Sequence, residues 1–182
     1  MQRSVKLSIV AFLICLAPLA ADAAPAARPD GAHDFDFEFG SWKATVRRLR
    51  DPFSEQKQWV EYTGPSIVRP VWHGRANLGE IELSGPAGKI QGSSFRLYDP
   101  ATHEWRIHWT NANDGLIGSA MVGGFRDGRG EFYNQETIGT HTVLVRFIFS
   151  GITPRTFKLE QAFSSDGGKT WEANWLASFE RE

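Results

Sequence analysis

Cysteine is almost absent from this chain of 182 residues, which carries one, Cys15. A single thiol excludes an intrachain disulfide framework and a cysteine-based zinc site. A surplus of either charge is missing too: 20 Lys and Arg face 21 Asp and Glu, for a net charge of -1. Without a basic surplus there is little to hold a phosphate backbone, so nucleic acid is not an expected partner. No Gly-x-Ser-x-Gly elbow, phosphate loop or dinucleotide fingerprint occurs, and nucleophilic hydrolysis and phosphoryl transfer therefore lack support. No internal repeat is found, and the length suits one domain. Against these absences stand seven tryptophans and thirteen phenylalanines.

The N-terminus reads as a secretory address. Arg3 and Lys6 give a positive start, Leu7 to Ala17 is apolar, and Ala21-Asp22-Ala23 has the small-x-small pattern of a cleavage site. The apolar run breaks at Pro18, short of the roughly 20 residues a membrane span needs. Cys15 follows Ile14 and not the small residue that precedes a lipid-modified cysteine. The organisation expected is a signal peptide over 1–23, a flexible leader over 24–32 rich in Ala and Pro, and a single domain over 33–182. Cleavage would discard the lone cysteine and leave a mature net charge of about -2, with no membrane span in the mature chain. The destination is periplasmic or extracellular.

The remainder alternates with period two, the signature of half-buried strands. Such runs cover Trp42 to Arg50, Gln58 to Thr63, Ile67 to Trp72, Asn77 to Leu83, Ile90 to Tyr98 and Trp105 to Asn111. Others cover Ala120 to Arg126, Arg129 to Ile138, His141 to Ser150, Thr156 to Phe163 and Trp171 to Phe179. Gly, Pro, Asn or Asp bounds each of them, the spacing of an antiparallel sandwich or barrel. Asp127-Gly128 is a strong two-residue hairpin turn. His33 to Gly40 lacks the alternation, and with Phe35, Phe37 and Phe39 reads as a short plug.

Antiparallel partners share a face, so the hairpin registers can be checked against one another. Pairing across Asp127-Gly128 sets Gly123 opposite Phe132. Pairing across Gly139 sets Phe132 opposite Phe147 and Glu136 opposite Val143. An apolar match across Asp99-Pro100 needs Leu97 with Trp105 and Phe95 with Ile107, and the last hairpin sets Leu159 with Trp175 and Phe157 with Ala177. The expected interior therefore holds Phe95, Leu97, Trp105, Ile107, Trp109, Phe125, Phe132, Val145, Phe147, Phe149, Leu159, Trp171, Trp175 and Phe179. The same registers place Glu61, Arg69, Asn77, Asn111, Asn134, Glu136 and Gln161 on that face. An unpaired buried amide costs about 1 to 3 kcal/mol and an unpaired charge more, so such groups satisfy one another, reach water at a barrel mouth, or orient a ligand.

Gly40-Ser41-Trp42 opens the first strand with a Gly-x-Trp element, and Arg181 lies just past the last. Together with the Phe35-Asp36-Phe37 lead-in and the tail from Trp171 to Arg181, these residues resemble a family of exported bacterial proteins with a lipocalin-like, or calycin-like, barrel. The resemblance covers most of His33 to Arg181. It implies a fold, an up-and-down antiparallel barrel of about ten strands with a short N-terminal plug, and structural roles for Gly40, Trp42 and Arg181: the tryptophan closes one end and the arginine stacks on it. It implies no particular activity. Ser164 to Trp171 fits the Asp-box pattern of sialidase hairpins, in which Asp166 braces the turn and Trp171 packs into the sheet. A propeller would need several copies and one is found.

His33, His73, His103, His108 and His141 show no metal-type spacing with carboxylates. An axial histidine in a haem-binding barrel of the nitrobindin type would have to face inward, and His108 alternates away from Trp109. No metal or cofactor is expected. Two classes of function then remain beside a structural or protein-interaction barrel. One is a binding module for a small apolar or aromatic molecule. Its walls would be Trp105, Trp109, Phe132, Phe147 and Trp175, and its orienting groups Glu61, Arg69, Asn77, Asn134, Glu136 and Gln161. The other is a cofactor-independent isomerase or cyclase in which an inward Glu61 or Glu136, its pKa raised by burial, acts as base.

Overall fold

The computed structural model describes residues 30–182. The expected signal peptide, and the leader up to residue 29, lie outside the described residues. Ten strands run in chain order: β1 (Gly40–Leu49), β2 (Trp59–Val71), β3 (Ala76–Gly85), β4 (Gly88–Asp99), β5 (Glu104–Asn111), β6 (Met121–Arg126), β7 (Arg129–Ile138), β8 (His141–Ser150), β9 (Thr156–Ser164) and β10 (Glu172–Arg181). Each pairs antiparallel with its neighbour in sequence and β1 pairs with β10, so the sheet closes with no free edge. The protein is an all-β, up-and-down barrel. Two of the expected runs join as β2, which carries Gly64-Pro65 through its middle. Proline lacks the ladder N–H, and a side chain on Gly64 would meet the Glu82 carbonyl at 2.0 Å, so glycine lets the strands approach there.

Short turns deliver the registers the sequence predicts. Asp127 and Gly128 both take positive φ, 52° and 74°, the conformation of a two-residue hairpin loop. Gly123 faces Phe132, Phe132 faces Phe147, and Glu136 faces Val143. The longer loops depart. β4 pairs with β5 as Tyr98 to Trp105 and Arg96 to Ile107, one residue away from the apolar match. A one-residue slip turns every side chain over: Phe95 and Leu97 face outward, and Ser94, Arg96 and Tyr98 face the core. In the last hairpin a bulge between Ala173 and Trp175 moves the pairing to Leu159 with Ala177 and Phe157 with Phe179. That shift is two residues, so these side chains keep their interior face.

The barrel has one closed end. A single 3-10 turn, Asp36–Glu38, enters it and carries Phe35 to the middle of the aromatic core. The Phe35 ring lies 5.0 Å from Trp105, 4.9 Å from Phe125, 5.7 Å from Phe132 and 5.3 Å from Phe149. The Phe132 contact is stacked and the other three are edge-to-face; aromatic pairs of either kind add about 0.5 to 1.5 kcal/mol each beyond the area they bury. Arg181 caps this end. Its guanidinium carbon lies 4.1 Å over the Trp42 ring, and its N–H groups donate to the carbonyls of Phe37, Phe39 and Pro154. Trp42 Nε1 donates to the Glu38 carbonyl at 2.6 Å. Gly31 and Ala32, assigned to the leader from sequence, belong to this floor: Trp105 Nε1 donates to the Gly31 carbonyl, and Ala32 is buried in the core. Among the described residues no helix is long and apolar enough to cross a membrane.

Candidate functional site

The two halves of the interior differ. In the closed half, the carboxylate of Glu38 descends from the plug onto Arg96 of β4. Arg96 Nη1 donates both to Glu38 Oε2 and to Asn77 Oδ1, the latter at 3.0 Å, and the guanidinium lies 4.9 Å over Phe35. Burial pushes the Glu38 carboxyl up from its ordinary range, and the Arg96 guanidinium opposes that rise. Asn77, Trp105 and Phe132 are on the interior face as expected. All three are fully buried here, Trp105 and Phe132 against Phe35, so no ligand reaches them while the plug is seated.

The other half opens between the loops and turns at the far end. There the interior face of β7 presents Asn134 and Glu136, β8 presents Phe147, β9 presents Gln161, and β10 presents Trp175. Phe147 pairs with Gln161 and Gln161 with Trp175, which sets these three side by side across adjacent strands. All five side chains point inward yet remain only partly buried. Trp109 of β5 shares the face at the rim, with 37% of its surface exposed. Its indole lies over Gly92 of β4, where an added Cβ would meet Trp109 at 2.1 Å. Asn111, also inward by register, is used locally: its amide donates to Asp114, and its carbonyl accepts from the Asn113 N–H. Phe53, from the loop between β1 and β2, leans over the far rim and stacks on His141 at 4.1 Å. A recess of about 420 Å³ lies between this loop and the turn that ends in Trp171, lined by Pro52, Phe53, Val143, Phe163, Ser165, Thr170, Trp171 and Glu172; none of the five inward side chains above lines it.

The polar groups of the open half are organised. Asn134 Nδ2 donates to the Ser119 carbonyl at 3.3 Å and to Glu136 Oε1 at 3.2 Å. Burial pushes the Glu136 carboxyl up, and the Asn134 amide draws it partly back. Gln161 Nε2 donates to Asn174 Oδ1 at 2.7 Å. Asn174 is the extra residue of the β10 bulge, and its Nδ2 has no hydrogen-bond partner among the described residues. Bulges often re-aim a side chain beside a functional site.

Glu61 and Arg69, expected inside, face out. Tyr62, Gly64, Ser66 and Val68 supply the inner face of β2, and Arg69 pairs on the surface with Glu80 at 2.9 Å. Isolated run-by-run alternation set the wrong parity, because β2 takes its parity from its pairing with β1 along its whole length. Trp171, also expected inside, lies outside. The Arg146 guanidinium sits 4.5 Å over its ring and Tyr133 is 6.0 Å away, while Trp171 Nε1 closes the turn onto the Gly168 carbonyl. Asp166 accepts from the Thr170 N–H and hydroxyl, the Ser164 hydroxyl and the Lys169 N–H, which lowers its pKa to about 2. Glu38, Arg96 and Asn174 are absent from the sequence-derived set. A charged residue in an aromatic lead-in is the available signal for Glu38, and the β4–β5 register turns Arg96 inward to meet it.

Among the described residues no group of three or more His, Cys, Asp or Glu stands together as a metal site would require. His108 faces outward, with Nδ1 at 3.2 Å from the Gly118 carbonyl. A second concavity, about 580 Å³, is a groove along β2 to β5 lined mostly by outward-facing residues such as Pro65, Ile67, Glu80 and Glu82.

No protein-family model and no curated protein matches the sequence. Solved structures do match in shape. The structure of the S-type phycobiliprotein lyase CPES from Guillardia theta aligns with TM-score 0.59 at 14% identity, covering 85% of this chain and 94% of that one. A structure of EF1p2_mFAP2b bound to DFHBI aligns with TM-score 0.45 at 12% identity over 84% and 99%. A de novo designed fluorescence-activating β-barrel aligns with TM-score 0.44 at 13% identity over 82% and 98%. The likeness to the lyase is one of fold, a calycin-like barrel.

Proposed function

We propose that this is an exported barrel that holds a small, largely apolar or aromatic molecule in the open half of its interior. Trp109, Phe147 and Trp175 form the walls, and Asn134, Glu136 and Gln161 orient the ligand. One observation carries the reading: three polar side chains point into an aromatic interior and remain partly exposed there, while the opposite half is filled by its own plug. A barrel that served only as a scaffold would gain more by closing both halves with apolar side chains. Export is part of the same proposal and rests on the N-terminal segment.

Native mass spectrometry of protein purified from its own compartment tests both points. The expected spectrum shows a mature chain beginning after Ala23 and a small molecule released on activation or solvent extraction. An unprocessed chain overturns export. A bare protein that also fails to bind naphthalene-type probes at millimolar concentration overturns the ligand reading. The raised pKa of Glu136 favours a second reading, a cofactor-independent isomerase or cyclase, because a half-buried carboxyl is suited to proton transfer. That reading expects wild-type protein to convert the extracted molecule and Glu136→Gln to bind it without conversion.

A further inference from the structure

Glu136 lacks a counter-ion. Its one side-chain hydrogen bond is with the Asn134 amide, and no Lys, Arg or His among the described residues forms an ion pair with it. The Asn134 amide nitrogen is committed to the Ser119 carbonyl and to Glu136 Oε1, which leaves its Oδ1 as the free atom. The pair therefore offers acceptors to the open half: Asn134 Oδ1 and the second carboxylate oxygen of Glu136. Across the ladder Val145 stands opposite Asn134 and Val143 opposite Glu136, with Phe147 next along β8 and Phe163 opposite Val145 on β9; Trp175 of β10 and Trp109 at the rim share the interior face farther round the barrel. In the closed half the corresponding carboxylate, Glu38, has its guanidinium in Arg96. In the open half the register places Arg48 of β1 on the interior face opposite Trp175, and among the described residues it forms no ion pair with Glu136.

An unpaired carboxylate beside aromatic faces is complementary to a positively charged donor: the carboxylate and amide oxygens accept from N–H groups, and the rings attract the charge. We propose that the open half binds a protonated organic amine with a flat apolar body, its ammonium group at Glu136 and Asn134 and its body against Phe147 and Trp175. This rests on the ligand-binding reading above and names the class of its ligand.

Isothermal titration calorimetry with three probes of one skeleton tests it: 2-(1-naphthyl)ethylamine, 2-(1-naphthyl)ethanol and 1-naphthylacetate. Wild-type protein is expected to bind the amine about tenfold tighter than the alcohol, the size of one charge-assisted contact in a partly wet site, and the carboxylate weakest. In Glu136→Gln, checked for a folded circular-dichroism spectrum, the amine and alcohol affinities should converge. The wild-type comparison stands alone if that variant does not fold. Equal binding of amine and alcohol by wild type, or a preference that survives in Glu136→Gln, overturns the amine assignment and leaves the ligand reading in place. Failure of all three probes to bind overturns the amine assignment, and together with a bare protein in the native mass spectrum it overturns the ligand reading as well.

Discussion

Two inward carboxyls, Glu38 and Glu136, meet burial in different ways, and each makes a prediction. Glu38 is sealed and has Arg96 in contact. Removing one partner of such a pair strands the other without compensation, typically at about 3 to 5 kcal/mol, whereas replacing both with apolar groups is close to neutral. Arg96→Met alone should therefore lower the denaturation midpoint steeply. The Glu38→Leu, Arg96→Met double variant should recover much of the loss, and a strictly additive double-mutant cycle would contradict the pairing. Glu136 is half-buried with no cation, and its folded pKa lies above the ordinary value of 4.5. The folded chain thus keeps its proton to higher pH than the unfolded chain, and stability falls as pH rises from 4.5 through the folded value. Glu136→Gln does not titrate. It should be more stable than wild type at pH 7, with the gap closing toward pH 4, and melting curves across that range check the sign.

At the scale of strands and turns, legibility tracked loop length. Asp127-Gly128 and Gly139 are tight enough to fix their partners by backbone geometry, so the faces of β6, β7 and β8 could be read from sequence, and with them Phe147, Asn134 and Glu136. The four-residue connection between Asp99 and Glu104 left register to apolar matching. That failed because the inner face of β4 is polar, carrying Ser94 and Arg96 to meet a plug residue distant in sequence. The bulge at Asn174 was hidden for a similar reason: nothing local marks an extra residue whose amide is held by Gln161 across the hairpin. Two elements can be probed directly. The Asp-box turn is held by donors to Asp166, whose pKa of about 2 lies below the ordinary 3.8. Its contribution is present above pH 3.8 and is lost as pH falls toward 2. Asp166→Asn should lower the melting temperature at pH 6 by an amount that shrinks below pH 4, whereas a constant deficit would mean that the charge is irrelevant. Gly92 makes room for the Trp109 indole. Gly92→Ala should swing that exposed ring into solvent, red-shifting tryptophan emission and weakening naphthyl probe binding at a cost in stability of about 1 kcal/mol, because the ring can move where a buried one could not.

Across the whole barrel, the plug divides the interior into a half that supplies stability and a half that stays accessible, and the two should be separable. Phe35 touches Trp105, Phe125, Phe132 and Phe149 at once, so truncating it leaves a cavity where the closed half is densest. Phe→Ala changes in such positions cost about 3 to 5 kcal/mol. Phe35→Ala should therefore lower the unfolding midpoint strongly. The open half draws Asn134, Glu136, Gln161 and Trp175 from the far ends of β7, β9 and β10, beyond the reach of that ring, and their positions are set by strand pairing that the substitution leaves intact. Affinity for a naphthyl probe should accordingly fall far less than stability, since only Phe147, opposite Phe132, links the site to the contacts of the plug and distant sites behave nearly additively. Trp175→Ala reverses the pattern: a half-buried ring at the accessible end gives up less stability on truncation and removes a wall of the site, so binding should suffer first. Denaturant titration and calorimetry on the same two variants decide the matter. Parallel losses of stability and affinity in both would show that plug and site form one cooperative unit and that the barrel has a single interior.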